Sequence, residues 1–310
     1  MPPPDIDPPG EHSIDEVVPR GDLSEHAANL YATLVDTAGR FFYRGDGMSH
    51  ASGPNPMRWR CYDSFHGMRQ GACAGGIAVV IDVLRASTTI VTALANGAPR
   101  VRPVLTVEQA RVDAAALGAM LGGERGGLKI EGFDLGNSPR EYSPDRVGGR
   151  SIVITTTNGT AALNACAGAI DVLIGAVVNR SAVAAAAHAL AMKHGGCDVH
   201  LVCAGTNGMV TEEDLLGAGA ILDAAARIGV PEDTLDGPSQ AALSGYRSIV
   251  AGRPDASASL ASAFSTSAGG RNLIDIGMES DLPVSAAIDS FAIVPRLDHG
   301  SGWLRADDRP

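Results

Sequence analysis

From Ile77 onward the chain alternates short apolar runs with longer segments of helical period. The runs Ile77–Val83, Arg100–Leu105, Ser151–Thr155, Asp171–Val177, Asp198–Cys203 and Phe291–Pro295 have the length of strands. Where a run is apolar throughout, it predicts a strand covered on both faces. Helices are predicted over Thr88–Asn96, Val107–Leu121, Gly159–Ala167, Ser181–Met192, Glu212–Ile228, Pro238–Ala251, Ala256–Thr266 and Gly269–Ile276. This alternation implies an α/β fold, layered α/β/α with a largely parallel or mixed sheet and room for two subdomains. Ligands of such sheets sit beyond the carboxyl ends of the strands.

The periodic pattern sets the domain boundaries. Residues 1–56 read as a disordered or weakly structured extension: the opening to Gly21 is proline-rich and acidic, 26–42 forms at most a short amphipathic helix, and 45–56 is rich in Gly, Ser and Pro. The compact domain is expected over 57–300, followed by a tail over 301–310. His50 and His66 have no partner at metal-ligand spacing and read as solvated loop residues.

Composition narrows the class. With 310 residues, 45% of them hydrophobic but only 4% aromatic, the core must be built of Ala, Val, Leu and Ile. The net charge of -11 excludes a general nucleic-acid or anionic-membrane surface, so positive charge for an anionic substrate has to be local. Cys61, Cys73, Cys166, Cys197 and Cys203 show no C-x-x-C spacing and fit reduced thiols in a cytoplasm, with Cys166 and Cys203 as small core residues. No run has the length of a membrane span, and no apolar signal region opens the chain. The expected partner is a small molecule, with a homo-oligomer left open.

The candidate chemistry lies where strands meet helices. Ile77–Val83 runs into Asp82-Val83-Leu84-Arg85-Ala86-Ser87-Thr88-Thr89, placing an acid, a base and three hydroxyls at a helix start. A carboxylate there is costly unless paired or bound to a metal, and Ser87 and Thr88 stand where helix N–H groups favour an anion. Two later strands enter T-N-G turns, Thr156-Thr157-Asn158-Gly159-Thr160 and Thr206-Asn207-Gly208. Asn-Gly and Thr have a plain structural use in turns and caps. Three such loops on one edge of a sheet would instead bind an oxyanion. Glu124 and Arg125 sit among four glycines, so a ligand can approach them closely. Thr211 to Asp214 admits two readings, a capping box or an inward turn of Glu213 or Asp214 toward a divalent cation.

These stretches, with Gly132-Phe133-Asp134-Leu135-Gly136-Asn137-Ser138-Pro139, Ala218-Gly219-Ala220, Gly269-Gly270-Arg271-Asn272-Leu273 and Asp281-Leu282, resemble the 2-phosphosulfolactate phosphatase family in order over roughly Gly76 to Leu297. The resemblance implies a Mg²⁺-dependent enzyme that hydrolyses 2-phosphosulfolactate to sulfolactate and phosphate, a step of coenzyme M biosynthesis. The chain departs from it at Ala161, after the T-N-G-T turn, where many members carry a basic residue. Phosphomonoester hydrolysis asks for neutralised equatorial oxygens and a positioned water. Asp82, Glu124 and Asp214 are therefore the candidate catalytic acids, and Asp82, Glu124, Glu213 and Asp214 the candidate metal ligands. Arg85 and Arg125 are candidate anion clamps, because a guanidinium pairs phosphate or sulfonate bidentately. Thr156, Thr157 and Asn158 would add neutral donors, beside Ser87 and Thr88. A non-catalytic binding protein for a phosphorylated metabolite would share the donors but need no cluster of acids.

Overall fold

The computed structural model of the chain describes residues 57–306. The expectations for residues 1–56 lie outside the described residues. Among the described residues the strands are Trp59–Tyr62 (β1), Ile77–Ile81 (β2), Val101–Pro103 (β3), Met120–Arg125 (β4), Leu128–Lys129 (β5), Ile152–Thr155 (β6), Asp171–Gly175 (β7), Val199–Cys203 (β8), Pro295–Asp298 (β9) and Trp303–Ala306 (β10). The helices are Ala86–Ala95 (α1), Val107–Leu117 (α2), Pro144–Val147 (α3), Gly159–Ala165 (α4), Arg180–Lys193 (α5), Glu212–Arg227 (α6), Gly237–Val250 (α7), Ala256–Thr266 (α8), Ala268–Asp275 (α9) and Asp281–Ser285 (α10). No helix among them is long and apolar enough to cross a membrane.

The α/β reading holds, with a mixed sheet in the order β1-β8-β2-β7-β9-β10-β3-β6-β4-β5. β2 lies between β7 and β8 and is parallel to both, so that Val79 stands opposite Leu173 and Leu201. β6 lies between β3 and β4, again in parallel. The hairpin β9–β10 joins these two groups, antiparallel to β7 on one side and to β3 on the other. Each antiparallel step reverses direction, and the path from β7 to β3 has an odd number of them. The two parallel groups therefore run opposite ways. The expectation that the three hydroxyl-rich loops leave one edge of a sheet is thereby corrected: β2 and β8 point one way and β6 the other.

Those ends nevertheless meet, since Asn158 after β6 accepts the Asn207 N–H after β8, and α1 packs against strands of both groups. This helix is apolar or hydroxyl-bearing on every side and buried along nearly its whole length, as expected of a helix enclosed by other elements. Its Ile90, Val91 and Leu94 share one core with Val80 of β2, Ile174 of β7, Ile152 and Ile154 of β6, and Leu304 of β10. It touches β3, β7, β9 and β10. On the outer face of β2, β7 and β8, the side chains Val79, Leu173 and Leu201 pack against α5, α6, α7 and α8. A smaller cluster joins Ala110 and Ala114 of α2 to Val153 and Trp303.

Several boundaries move, each for a local reason. The last predicted strand, Phe291–Pro295, is displaced to Pro295–Asp298: the Phe291 N–H bonds the Val178 carbonyl and Asn179 takes the Ile293 carbonyl, so the chain enters the sheet only after Val294. Residues 301–310, read as a tail, contain β10, whose Trp303 and Leu304 are buried. The helix predicted over Val107–Leu121 ends at Leu117, where Gly118 takes a left-handed conformation. Met120 then opens β4, hidden from a pattern reading by Gly122 and Gly123. A Cβ at Gly122 would lie 2.5 Å from the Tyr142 hydroxyl, so the glycine serves packing within a strand.

Candidate active site

Asp82 leaves the end of β2 and is buried. Its Oδ1 accepts the Ala86 N–H at 3.1 Å and its carbonyl accepts the Ser87 N–H at 2.8 Å. The carboxylate thus fills the anion position at the start of α1 that the sequence offered to a ligand. Ser87 and Thr88 do not contribute donors either. Ser87 Oγ donates to the Val80 carbonyl and accepts the Asp82 N–H, while Thr88 Oγ1 donates to the Val83 carbonyl. Both hydroxyls satisfy main-chain groups left over where β2 stops.

The capping-box reading of Thr211 to Asp214 fails. The Thr211 hydroxyl makes no cap bond. Asp214 turns inward, with Oδ1 accepting the Val83 N–H at 2.8 Å and Oδ2 the Gly205 N–H at 2.9 Å. It ties the turn after β2 to the turn after β8. Glu124 does the same in the other half of the sheet. Its oxygens take the Gly127 and Thr157 N–H groups, both at 2.7 Å, tying the end of β4 to the loop after β6. Thr156 Oγ1 accepts the Thr160 N–H, and Asn158 Oδ1 accepts the Asn207 N–H at 3.3 Å, so one T-N-G turn holds the other.

The four acids form one electrostatic group. Burial first, then the charges of Glu124 and Glu213, push the Asp82 carboxyl up to about 7. Burial, with Asp82 and Glu213 beside it, holds Asp214 well above the usual carboxylate range, and burial also raises Glu213. Arg85 opposes the shift at Asp82. The close packing extends to Gly159, where a Cβ would stand 2.6 Å from Ala86 Cβ and 2.8 Å from Asp82 Oδ2.

Among the described residues no three His, Cys, Asp or Glu side chains gather closely enough to make a metal site by themselves. The four expected ligands divide instead by what their oxygens already do. Glu124 and Asp214 spend both oxygens on main-chain N–H groups. Asp82 Oδ2 accepts no hydrogen bond among the described residues, and Glu213 Oε2 is buried without a partner. Two carboxylates with a free oxygen each suit Mg²⁺, which keeps waters and substrate oxygens in its remaining positions.

Neither arginine is the free clamp that the sequence suggested. Arg85 is buried, with Nη1 on Asp281 Oδ2 at 2.8 Å and Nη2 on the Gly127 carbonyl at 2.6 Å. The other N–H groups of its fork have no partner among the described residues. Arg125 is exposed and donates to the Glu124 and Leu105 carbonyls and to Thr155 Oγ1. It braces the β4 turn. Asp281 and Ser138, whose hydroxyl donates to Asp281 Oδ1 at 2.6 Å, escaped assignment. A lone Asp before Leu-Pro carries no local signal of burial. The start of α9 also reaches this region, since Gly269 lies where any Cβ would meet Glu213.

The family model for 2-phosphosulpholactate phosphatase matches residues 64–300. A protein of Symbiobacterium thermophilum named probable 2-phosphosulfolactate phosphatase is 42% identical over 230 residues, which is 73% of this chain and 93% of that protein. Proteins of the same name from Thermotoga maritima and Deinococcus radiodurans are each 40% identical, over 72% of this chain and 89% and 88% of their own lengths.

Proposed function

The chain belongs to the 2-phosphosulfolactate phosphatase family, and on that premise we propose that it hydrolyses 2-phosphosulfolactate, or a closely related phosphorylated hydroxy acid, to the hydroxy acid and phosphate with Mg²⁺. One observation carries the reading beyond the family: buried acids crowd beside a single buried arginine, and two of them, Asp82 and Glu213, keep an oxygen free. Carboxylates lifted toward neutrality by burial first and by neighbouring charge second, as Asp82 and Asp214 are, are poised to accept a divalent cation in place of protons.

In this reading Asp82 and Glu213 would hold the ion, which would supply positive charge for the phosphoryl oxygens. Arg85 adds a fixed positive charge beside Asp82. Glu124 and Asp214 work one step back. By gathering main-chain N–H groups from both halves of the sheet, they hold the turns in place as the substrate's charge enters. The loose transition state of phosphoryl transfer demands such positioning and neutralisation more than a strong base. Thr157 is exposed and Asn158 half-buried, so in this reading both could meet a substrate.

The test is phosphate release from 2-phosphosulfolactate, 2-phospholactate and 2-phosphoglycerate, in EDTA and after Mg²⁺ is restored. Turnover that disappears in EDTA and returns with Mg²⁺ supports the proposal. Undiminished turnover in EDTA removes the cation from it, and tight binding of the phosphorylated acids without any release makes the chain a binding protein.

A further inference from the structure

The ion pair between Arg85 and Asp281 is the most deeply buried in the described residues, with side chains 3% and 1% exposed. Such a pair is a poor source of stability, because the desolvation of both charges offsets their attraction and an apolar pair of similar size often does as well. Its partners are 196 positions apart in sequence, and each is bound further. Asp281 Oδ1 accepts the Ser138 hydroxyl, and Arg85 Nη2 donates to the Gly127 carbonyl. The N–H of that same Gly127 donates to Glu124, whose other oxygen holds Thr157. An unbroken line of hydrogen bonds therefore runs from α10 through Arg85 to the β4 turn and the loop after β6.

Resting on the phosphatase reading, we propose that Asp281 is a positioning residue of the active site: it clamps one arm of the Arg85 guanidinium so that the uncommitted N–H groups stay beside Asp82 for a substrate oxyanion. Asp281 touches no substrate in this assignment. It acts through Arg85, by holding a flexible cation in one geometry before the ligand arrives. A carboxylate suits this role because it orients the planar fork through a charge-assisted bond, and the Ser138 hydroxyl fixes the carboxylate in turn.

The test is a double-mutant cycle with Arg85→Met, Asp281→Asn and the two combined, together with the apolar pair Arg85→Met with Asp281→Leu. The Kd for inorganic phosphate is measured by calorimetry in the presence of Mg²⁺, and kcat and KM are measured on 2-phosphosulfolactate. Each single variant is expected to weaken phosphate binding and kcat/KM by at least about tenfold, and Asp281→Asn is expected to add nothing once Arg85 is Met. A purely structural Asp281 would lower the active fraction, and with it kcat, while leaving Kd and KM unchanged. That pattern, or losses that multiply in the double variant, would overturn the proposal, as would wild-type kinetics in either single variant. If Asp281→Asn does not fold, the apolar pair replaces the double variant, and kinetics equal to those of Arg85→Met support the assignment. Absence of phosphate release by the wild type would remove the phosphatase reading alone, because the cycle is then read in phosphate affinity, and a wild type that binds no phosphate removes the positioning role as well.

Discussion

Replacing Asp82 by Asn should make the Mg²⁺-free protein more stable at pH 8, although it removes a residue placed in the active site. In the folded chain burial and the neighbouring acids move this carboxyl from an ordinary 3.8 to about 7. Well below pH 3.8 both the folded and unfolded forms carry the proton, and Asp and Asn are equivalent. As pH rises toward 7 the unfolded chain has lost a proton that the folded one still holds, so stability falls across this window and the penalty is complete above it. At about 1.4 kcal/mol for each factor of ten in proton affinity, the penalty is on the order of 4 kcal/mol. The Asp82→Asn change removes it while keeping an oxygen to accept the Ala86 N–H. Urea unfolding followed by tryptophan emission at pH 4 and pH 8 measures the difference, since Trp59 and Trp303 are both buried in the folded state. Saturating Mg²⁺ at about a hundred times its Kd should stabilise the wild type by roughly 2.7 kcal/mol and Asp82→Asn far less. If the Asp82→Asn variant is less stable than wild type at pH 8 without Mg²⁺, burial of the charge is not the dominant cost and the argument is refuted.

Two further substitutions separate the bracing residues from the core. Glu124→Gln retains one acceptor for two main-chain N–H groups and should lose about 1–3 kcal/mol in denaturant titration, with turnover falling as the β4 turn parts from Thr157; unchanged stability would mean that those bonds are dispensable. Leu304→Ala opens a cavity in the core around α1 and should cost about 2–5 kcal/mol by the same measurement, whereas a surface-like loss of a few tenths would detach β10 from the fold.

Much of the first half of the sheet could be read directly. β2, β7 and β8 are apolar at nearly every position because both of their faces are covered, and a continuous run is the signature of that environment. The helices α5 to α8 follow from period, and α7 and α8 also carry caps, with Asp255 accepting the Ala258 N–H at the start of α8 where the sequence placed its boundary. The reversal of direction could not be read. It depends on β9 and β10 reaching back to Leu173 and Val101, and no local pattern records a pairing over such a separation. At the candidate site, the acids could be singled out because a carboxylate after an apolar run is conspicuous. Their division of labour could not, since whether an oxygen is free depends on N–H groups from distant turns. Ser87 and Thr88 misled for a related reason: a hydroxyl at a helix start serves a ligand or the preceding strand equally well until the strand's last carbonyls are located.

The opposite directions of the two halves also bear on where the candidate site sits. A flat sheet with oppositely directed halves would leave the turns after β2 and β8 at one edge and those after β4 and β6 at the other. Here the two halves pack against α1 and the four turns meet at the start of that helix, where Asp82 already satisfies the first N–H. The remaining bonds then cross between the halves: Arg85 reaches the Gly127 carbonyl, and the Asn207 N–H reaches Asn158. Such crossing bonds couple the geometry of the acids to the placement of one half against the other. A shift of the hairpin β9–β10, whose strands pair with β7 on one side and β3 on the other, would therefore move Asp82 and Asp214 relative to Glu124 without touching any of them. The sequence of α1, small and without a charged side chain, follows from the same requirement: its hydroxyls donate to main-chain carbonyls, so that both halves can pack against it while its start meets the four turns.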